Sequence, residues 1–161
     1  MSRYEAWTVH LSVGLVGSTG LIYAWMLYFM TPSDPFSVLH HPLQPHVQHA
    51  HVWFAPLLVF GAGLIWRDHI WKHLTRGVSS GRRSGLALLL TLVPMVLSGY
   101  LIQTAVGEGW RSAWIVVHVA TSGLWLAGYG LHIWARIRRG HKHRKARESK
   151  ERKLSSPPVI A

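Results

Sequence analysis

The chain contains no cysteine. That removes disulfides, thiolate-held iron–sulfur clusters and covalent c-type haem attachment together, and leaves histidine, methionine and oxygen as possible metal ligands. Acidic residues are scarce as well: there are six, against 17 Lys and Arg, for a formal charge of +11. Four long stretches hold no Asp, Glu, Lys or Arg at all: residues 6–30, 50–66, 84–107 and 112–135. A soluble four-helix bundle needs a polar face on each helix, and these stretches offer none.

What is present is apolar mass in blocks. Hydrophobic residues make up 49% of the chain, with nine Trp. A helix rises about 1.5 Å per residue, so about 20 residues cross a hydrocarbon layer about 30 Å thick. Three stretches reach that length alone. The second reaches it if its helix begins at Pro45, a residue suited to a first helical turn. The expectation is an all-α membrane protein, a four-transmembrane-helix bundle with helices over about 6–30, 45–71, 84–107 and 112–135. A four-helix domain then covers 1–136 and a basic tail covers 137–161. The first stretch is too long for a signal-peptide core and lacks a small-residue cleavage site before Pro32, so it is expected to stay as a helix. Pro94 is expected to kink the third helix unless neighbours compensate. No internal repeat is evident.

The positive charge is uneven. Arg3 precedes the first helix. Arg67, Lys72, Arg76, Arg82 and Arg83 lie between the second and third, and ten Lys and Arg follow the fourth. Only Arg111 falls on the other side. The positive-inside rule puts both termini and the 67–83 loop in the cytoplasm, with 31–44 and the 108–111 turn outside. The location that follows is a multi-pass membrane position with both termini cytoplasmic. The tail "RIRRGHKHRKARESKERK" is a topology determinant with affinity for anionic lipid, and nucleic acid is not expected as a partner. The loop "TPSDPFSVLHHPLQP" holds four of the eight prolines and is expected to be irregular.

Of 12 histidines, those inside apolar stretches matter most, because a polar group in a membrane is costly and usually functional. They are His10, His51, His118 and His132; the third helix has none. His118 and His132 are 14 residues apart, which at about 100° per residue leaves them on one face and about 21 Å apart along the axis. Two ligands on one face at two depths suggest two stacked metal centres. Depth then pairs His51 with His118 outside and His10 with His132 inside. His49 points about 200° away from His51 on the same helix and competes with it. His69, 18 residues or five turns after His51 and so on the same face, is the runner-up inner ligand.

Paired axial imidazoles inside a helical bundle suit haem b, held without covalent attachment. Gly14 and Gly17 on the face of His10, and Gly128 on the face shared by His118 and His132, would make room for a porphyrin, although glycine also serves close helix packing. Arg67 and Arg111 stand at the two surfaces where propionates would emerge.

At this point the residues resemble the bacterial di-haem cytochrome b subunits of formate dehydrogenase N, membrane-bound nickel–iron hydrogenase and thiosulfate reductase-like enzymes. These have four core helices with a cytoplasmic N-terminus. Their ligands come from the first, second and fourth helices, with a 14-residue pair in the fourth. The matching positions here are His10, His51, His118 and His132, and the resemblance covers residues 1–136. It implies two haem b groups and electron transfer between an outer redox subunit, an iron–sulfur protein or multihaem cytochrome, and membrane quinone near the cytoplasmic face. Asp68, His69 and His73 are candidates for proton exchange with quinone. The substrate chemistry would lie in the partner, docked on the outer loop that carries His40, His41 and His46.

Two other classes were weighed. A divalent-metal permease could use "HHPLQPHVQHAH" as a capture loop, but such transporters place carboxylates within the membrane, and none lies in these stretches. A structural anchor would leave the paired depths unexplained.

The topology has a direct test in this cysteine-free background. In Ser37→Cys an impermeant maleimide should label intact spheroplasts, and in Ser149→Cys it should label only after lysis; the reverse pattern would invert the assignment.

Overall fold

The computed structural model describes residues 2–32, 34–75 and 82–155. The side chains of residues 67–69, 73–74, 82–83, 143, 150 and 152–155 fall outside that description. All regular structure among the described residues is helical, and four helices are long and apolar enough to cross a membrane. The chain divides into two compact units, 1–79 and 80–161.

The first unit is a hairpin of α1 (Arg3–Phe29) and α2 (Gln44–Leu64). α1 begins with a capping box: Ser2 Oγ accepts from the Glu5 amide and Glu5 returns a carboxylate to the Ser2 amide. Two orphan donors of the first turn are satisfied this way. The α1–α2 loop is ordered by short-range bonds. Asp34 accepts from the Phe36 amide, Gln44 Oε1 from the His40 amide, and His41 Nδ1 from the Leu43 amide. Gln44 is buried and opens α2, with Pro45 in its first turn. The two helices close on Ser12, Val13, Met26 and Leu58. Gly61 lets the backbones approach: a Cβ there would stand 3.3 Å from Ser12 Oγ and 3.5 Å from Val9 Cγ2.

α2 does not run unbroken to residue 71 as expected. The helix widens into a π-helical segment, Trp66–Trp71, in which the Ile70 amide bonds to the Ile65 carbonyl, 3.1 Å away; a short α3 (Lys72–Thr75) follows. The i to i+5 step rotates everything beyond Ile65 relative to an α-helix. Counting whole α-turns from His51 therefore does not put His69 on the same face.

The second unit is a hairpin of α4 (Arg82–Thr104) and α5 (Glu108–Ser155). α4 remains one helix through Pro94, as α2 does through Pro56. Met95, Ser98 and Trp125 are buried, and Gly128 packs on Leu88, whose Cδ2 would lie 3.4 Å from an added Cβ. α5 does not end near residue 135; it is a single 48-residue helix. The tail is rich in Arg and Lys, both strong helix formers, and carries no proline before residue 156. Arg144–Glu148 and Arg147–Glu151 pair one turn apart on its exposed face, and Arg138 lies 3.8 Å from the Trp134 ring centroid.

Large apolar side chains cover the outside, among them Trp7, Trp25, Trp53, Phe60, Leu90, Leu97, Val116, Leu124 and Leu131. Such a surface belongs in lipid rather than water. With so little interior, each unit depends on a narrow seam. Gly61→Leu should destabilise the folded chain by about 1–3 kcal/mol through overpacking. Gly63→Leu, where an added Cβ meets nothing within 4 Å, should melt like wild type in detergent. Equal melting of the two variants would refute the Gly61 seam.

Candidate haem-ligand histidines

The four span histidines are distributed over both units, and three of them, His51, His118 and His132, are held by the partner helix of their own hairpin. His51, on α2, is half-buried against α1. Its Nδ1 lies 3.1 Å from the Val16 carbonyl and 3.3 Å from Thr19 Oγ1. The ring rests on Gly20, where a Cβ would be 2.8 Å from Cε1 and 3.1 Å from Nδ1. His49, two residues earlier, is exposed.

His118, on α5, has the same surroundings. Its Nδ1 lies 2.9 Å from the Met95 carbonyl and 3.4 Å from Ser98 Oγ. The ring rests on Gly99, where a Cβ would be 3.2 Å from Cε1 and 3.3 Å from Nδ1. A carbonyl can only accept, so Nδ1 carries the proton in both rings. In a neutral imidazole the lone pair is then on Nε2. A hydrogen-bond acceptor on one ring nitrogen, with the lone pair on the other, is the usual arrangement of a metal-binding histidine.

His132, further along α5, is half-buried, and its Nδ1 meets Ser84 Oγ of α4 at 2.8 Å. His118, Trp125 and His132 are seven residues apart in turn, about 20° short of two turns each, so they follow one face of α5. That face is turned toward α4 at both ends. The third span, which has no histidine, therefore supplies the polar contacts of two. His10, on α1, is exposed and lines an open groove of about 460 Å³ with Trp7, Thr8, Leu11, Gly14 and Leu15. The groove is apolar apart from His10 and Thr8, and a Cβ at Gly14 would meet nothing within 4 Å.

The remaining candidates fare differently. Gly17 is half-buried on α1. Gly128 is in contact with Leu88, so at least part of its role is packing α5 on α4. Arg111 is exposed in the first turn of α5, its amide bonded to the Gly107 carbonyl. The backbone of Arg67, Asp68 and His69 lies in the π-helical segment and that of His73 in α3; their side chains lie outside the described residues. His40 and His41 sit in the α1–α2 loop and His46 in the first turn of α2. Among the described residues no three His, Asp or Glu side chains converge as a metal site.

Sequence reasoning missed Thr19, Gly20, Ser84, Ser98 and Gly99. It also missed a repeat. Val9 and Leu88, Val16 and Met95, Thr19 and Ser98, Gly20 and Gly99 are each 79 residues apart. On the partner helix His51 and His118, Leu58 and Trp125, Gly61 and Gly128 are each 67 apart. Each pair has the same role in its hairpin: Gly61 packs on Val9 as Gly128 does on Leu88, and Leu58 and Trp125 are both buried. The available signals were the Thr-Gly and Ser-Gly steps and the shared pattern of His51–Leu64 and residues 118–131, which match at His, Val, Leu, Gly, Gly and Leu. No family model matches the chain, and neither a curated protein nor a solved structure matches it.

Proposed function

We propose that this chain is a membrane di-haem b cytochrome that carries electrons between a redox partner on the outer face and the quinone pool. The observation that carries this reading is the paired imidazole geometry. Two histidines in membrane-length helices each donate Nδ1–H to a carbonyl of the neighbouring helix, at equivalent places in two hairpins.

The donor set fits haem b. Without cysteine the chain offers imidazole nitrogen, and at His51 and His118 the protonation pattern makes Nε2 the ligating atom. In this reading His51 and His118 hold the outer haem, and His10 and His132 hold the inner one. Haem supplies reversible one-electron chemistry that no side chain here can supply. The protein's part is to fix the imidazoles, exclude water with its apolar surroundings, and move protons at the quinone end. The groove beside His10 and Gly14 offers an apolar surface for a macrocycle. Ser84 fixes the His132 ring at Nδ1. Asp68, His69 and His73 are the candidates to exchange protons with quinone, since its reduction takes up protons with electrons. The α1–α2 loop is the docking surface for an iron–sulfur or multihaem partner, the membrane-proximal Arg and Lys of the cytoplasmic tail meet anionic lipid, and the membrane is the bacterial inner membrane.

Pyridine haemochrome analysis of the purified full chain should give two haem b per polypeptide. His118→Ala and His132→Ala should each retain one, with different remaining potentials. A well-folded chain without porphyrin would end this reading.

A further inference from the structure

We propose that Thr19 with Gly20, and Ser98 with Gly99, are positioning residues: in each hairpin a hydroxyl–glycine step seats the imidazole of the facing helix and sets how strongly it donates to iron. This inference rests on the reading of His51 and His118 as ligands of one haem.

Each component alone has an ordinary explanation. Ser and Thr in membrane helices often bond back to a carbonyl one turn earlier, and glycine allows helices to pack closely. Their recurrence around the same ring is what those explanations omit. Thr19 Oγ1 lies 2.7 Å from the Leu15 carbonyl, and Ser98 Oγ lies 2.6 Å from the Pro94 carbonyl. Donating there, each hydroxyl turns a lone pair toward the imidazole N–H, which it shares with the Val16 or Met95 carbonyl. The following glycine lies under the Nδ1–Cε1 edge, where any side chain would displace the ring. Ser98 is fully buried, so water does not substitute for its oxygen.

The surrounding residues differ between the hairpins: Leu15 against Pro94, Val16 against Met95, Leu21 against Tyr100. Among the residues whose atoms meet the ring through a side chain or an absent one, the hydroxyl and the glycine persist with the histidine. His132 shares only the hydroxyl: Ser84 Oγ meets its Nδ1, but a Cβ at the following Gly85 would meet nothing within 4 Å, and the repeat position is Ile65; His10 corresponds to Leu89. The clip therefore belongs to one pair of imidazoles, contributed equally by the two repeats.

An acceptor at Nδ1 raises the basicity of the ligand and favours ferric over ferrous iron. Removing one acceptor should raise the potential of the outer haem alone. Redox titration of the full-length protein, followed optically and by low-temperature EPR, reads this directly. Thr19→Val and Ser98→Ala should each shift the reduction equilibrium of one haem toward the ferrous form by up to about tenfold, about 59 mV for one electron. Both should change the EPR signal of that haem and leave the other unchanged. Thr19→Ser, which keeps the hydroxyl, should behave as wild type. Gly20→Ala should weaken retention of the same haem roughly 10- to 100-fold. A two-haem wild type whose potentials and EPR signals are unaltered by Thr19→Val and Ser98→Ala would overturn the clip while leaving the di-haem reading intact. A wild type with no haem would remove both.

Discussion

A neutral imidazole has one N–H, and in hydrocarbon that N–H needs an acceptor, because an unsatisfied polar group there costs several kcal/mol. At His51 and His118 the acceptor is a carbonyl that already belongs to a helix, supplemented by a hydroxyl one turn on. The arrangement is economical in chemical terms. The contact that makes the ring tolerable in the membrane also decides which nitrogen is left as a Lewis base. Glycine at the point of contact makes it possible, since a side chain there would hold the ring off the carbonyl. Helix packing and tautomer are thus settled at one place in each hairpin.

The two hairpins treat their other histidines unequally. The first carries one on its opening helix, at His10, and the second carries one on its closing helix, at His132. At the position matching His132 the first hairpin has Ile65, and its helix changes to π geometry there. The duplicated unit has thus kept one imidazole and diverged at the other.

Much of this was visible in the residues. The apolar stretches marked all four spans, because lipid demands an unbroken run of apolar side chains and nothing else mimics it. Membrane histidines stood out for the same reason. Three features were not legible. Which helix holds which ring is a tertiary fact: α4 has no histidine, yet Ser84, Met95 and Ser98 hold two. The π segment escaped because face counting assumes uniform 3.6-residue turns, and one wider turn invalidates it for His69. The repeat was hidden because helices in lipid constrain only their contact positions. Identity survives at His51, Gly20 and Gly61 and their counterparts while most lipid-facing neighbours differ. The extension of α5 to Ser155 escaped because the end of the apolar stretch was taken as the end of the helix.

The central claim, that a neighbouring backbone carbonyl holds the Nδ1 proton of His51 and of His118, is open to one direct measurement. In the haem-free full chain, labelled with 15N at histidine and reconstituted in lipid, the ring nitrogens of these two residues should report a protonated Nδ1 and an unprotonated Nε2. Assignment follows from the loss of each signal in the corresponding His→Ala variant. Protonation at Nε2 instead would mean that the carbonyl contacts do not hold these rings, and the ligand assignment built on them would fall.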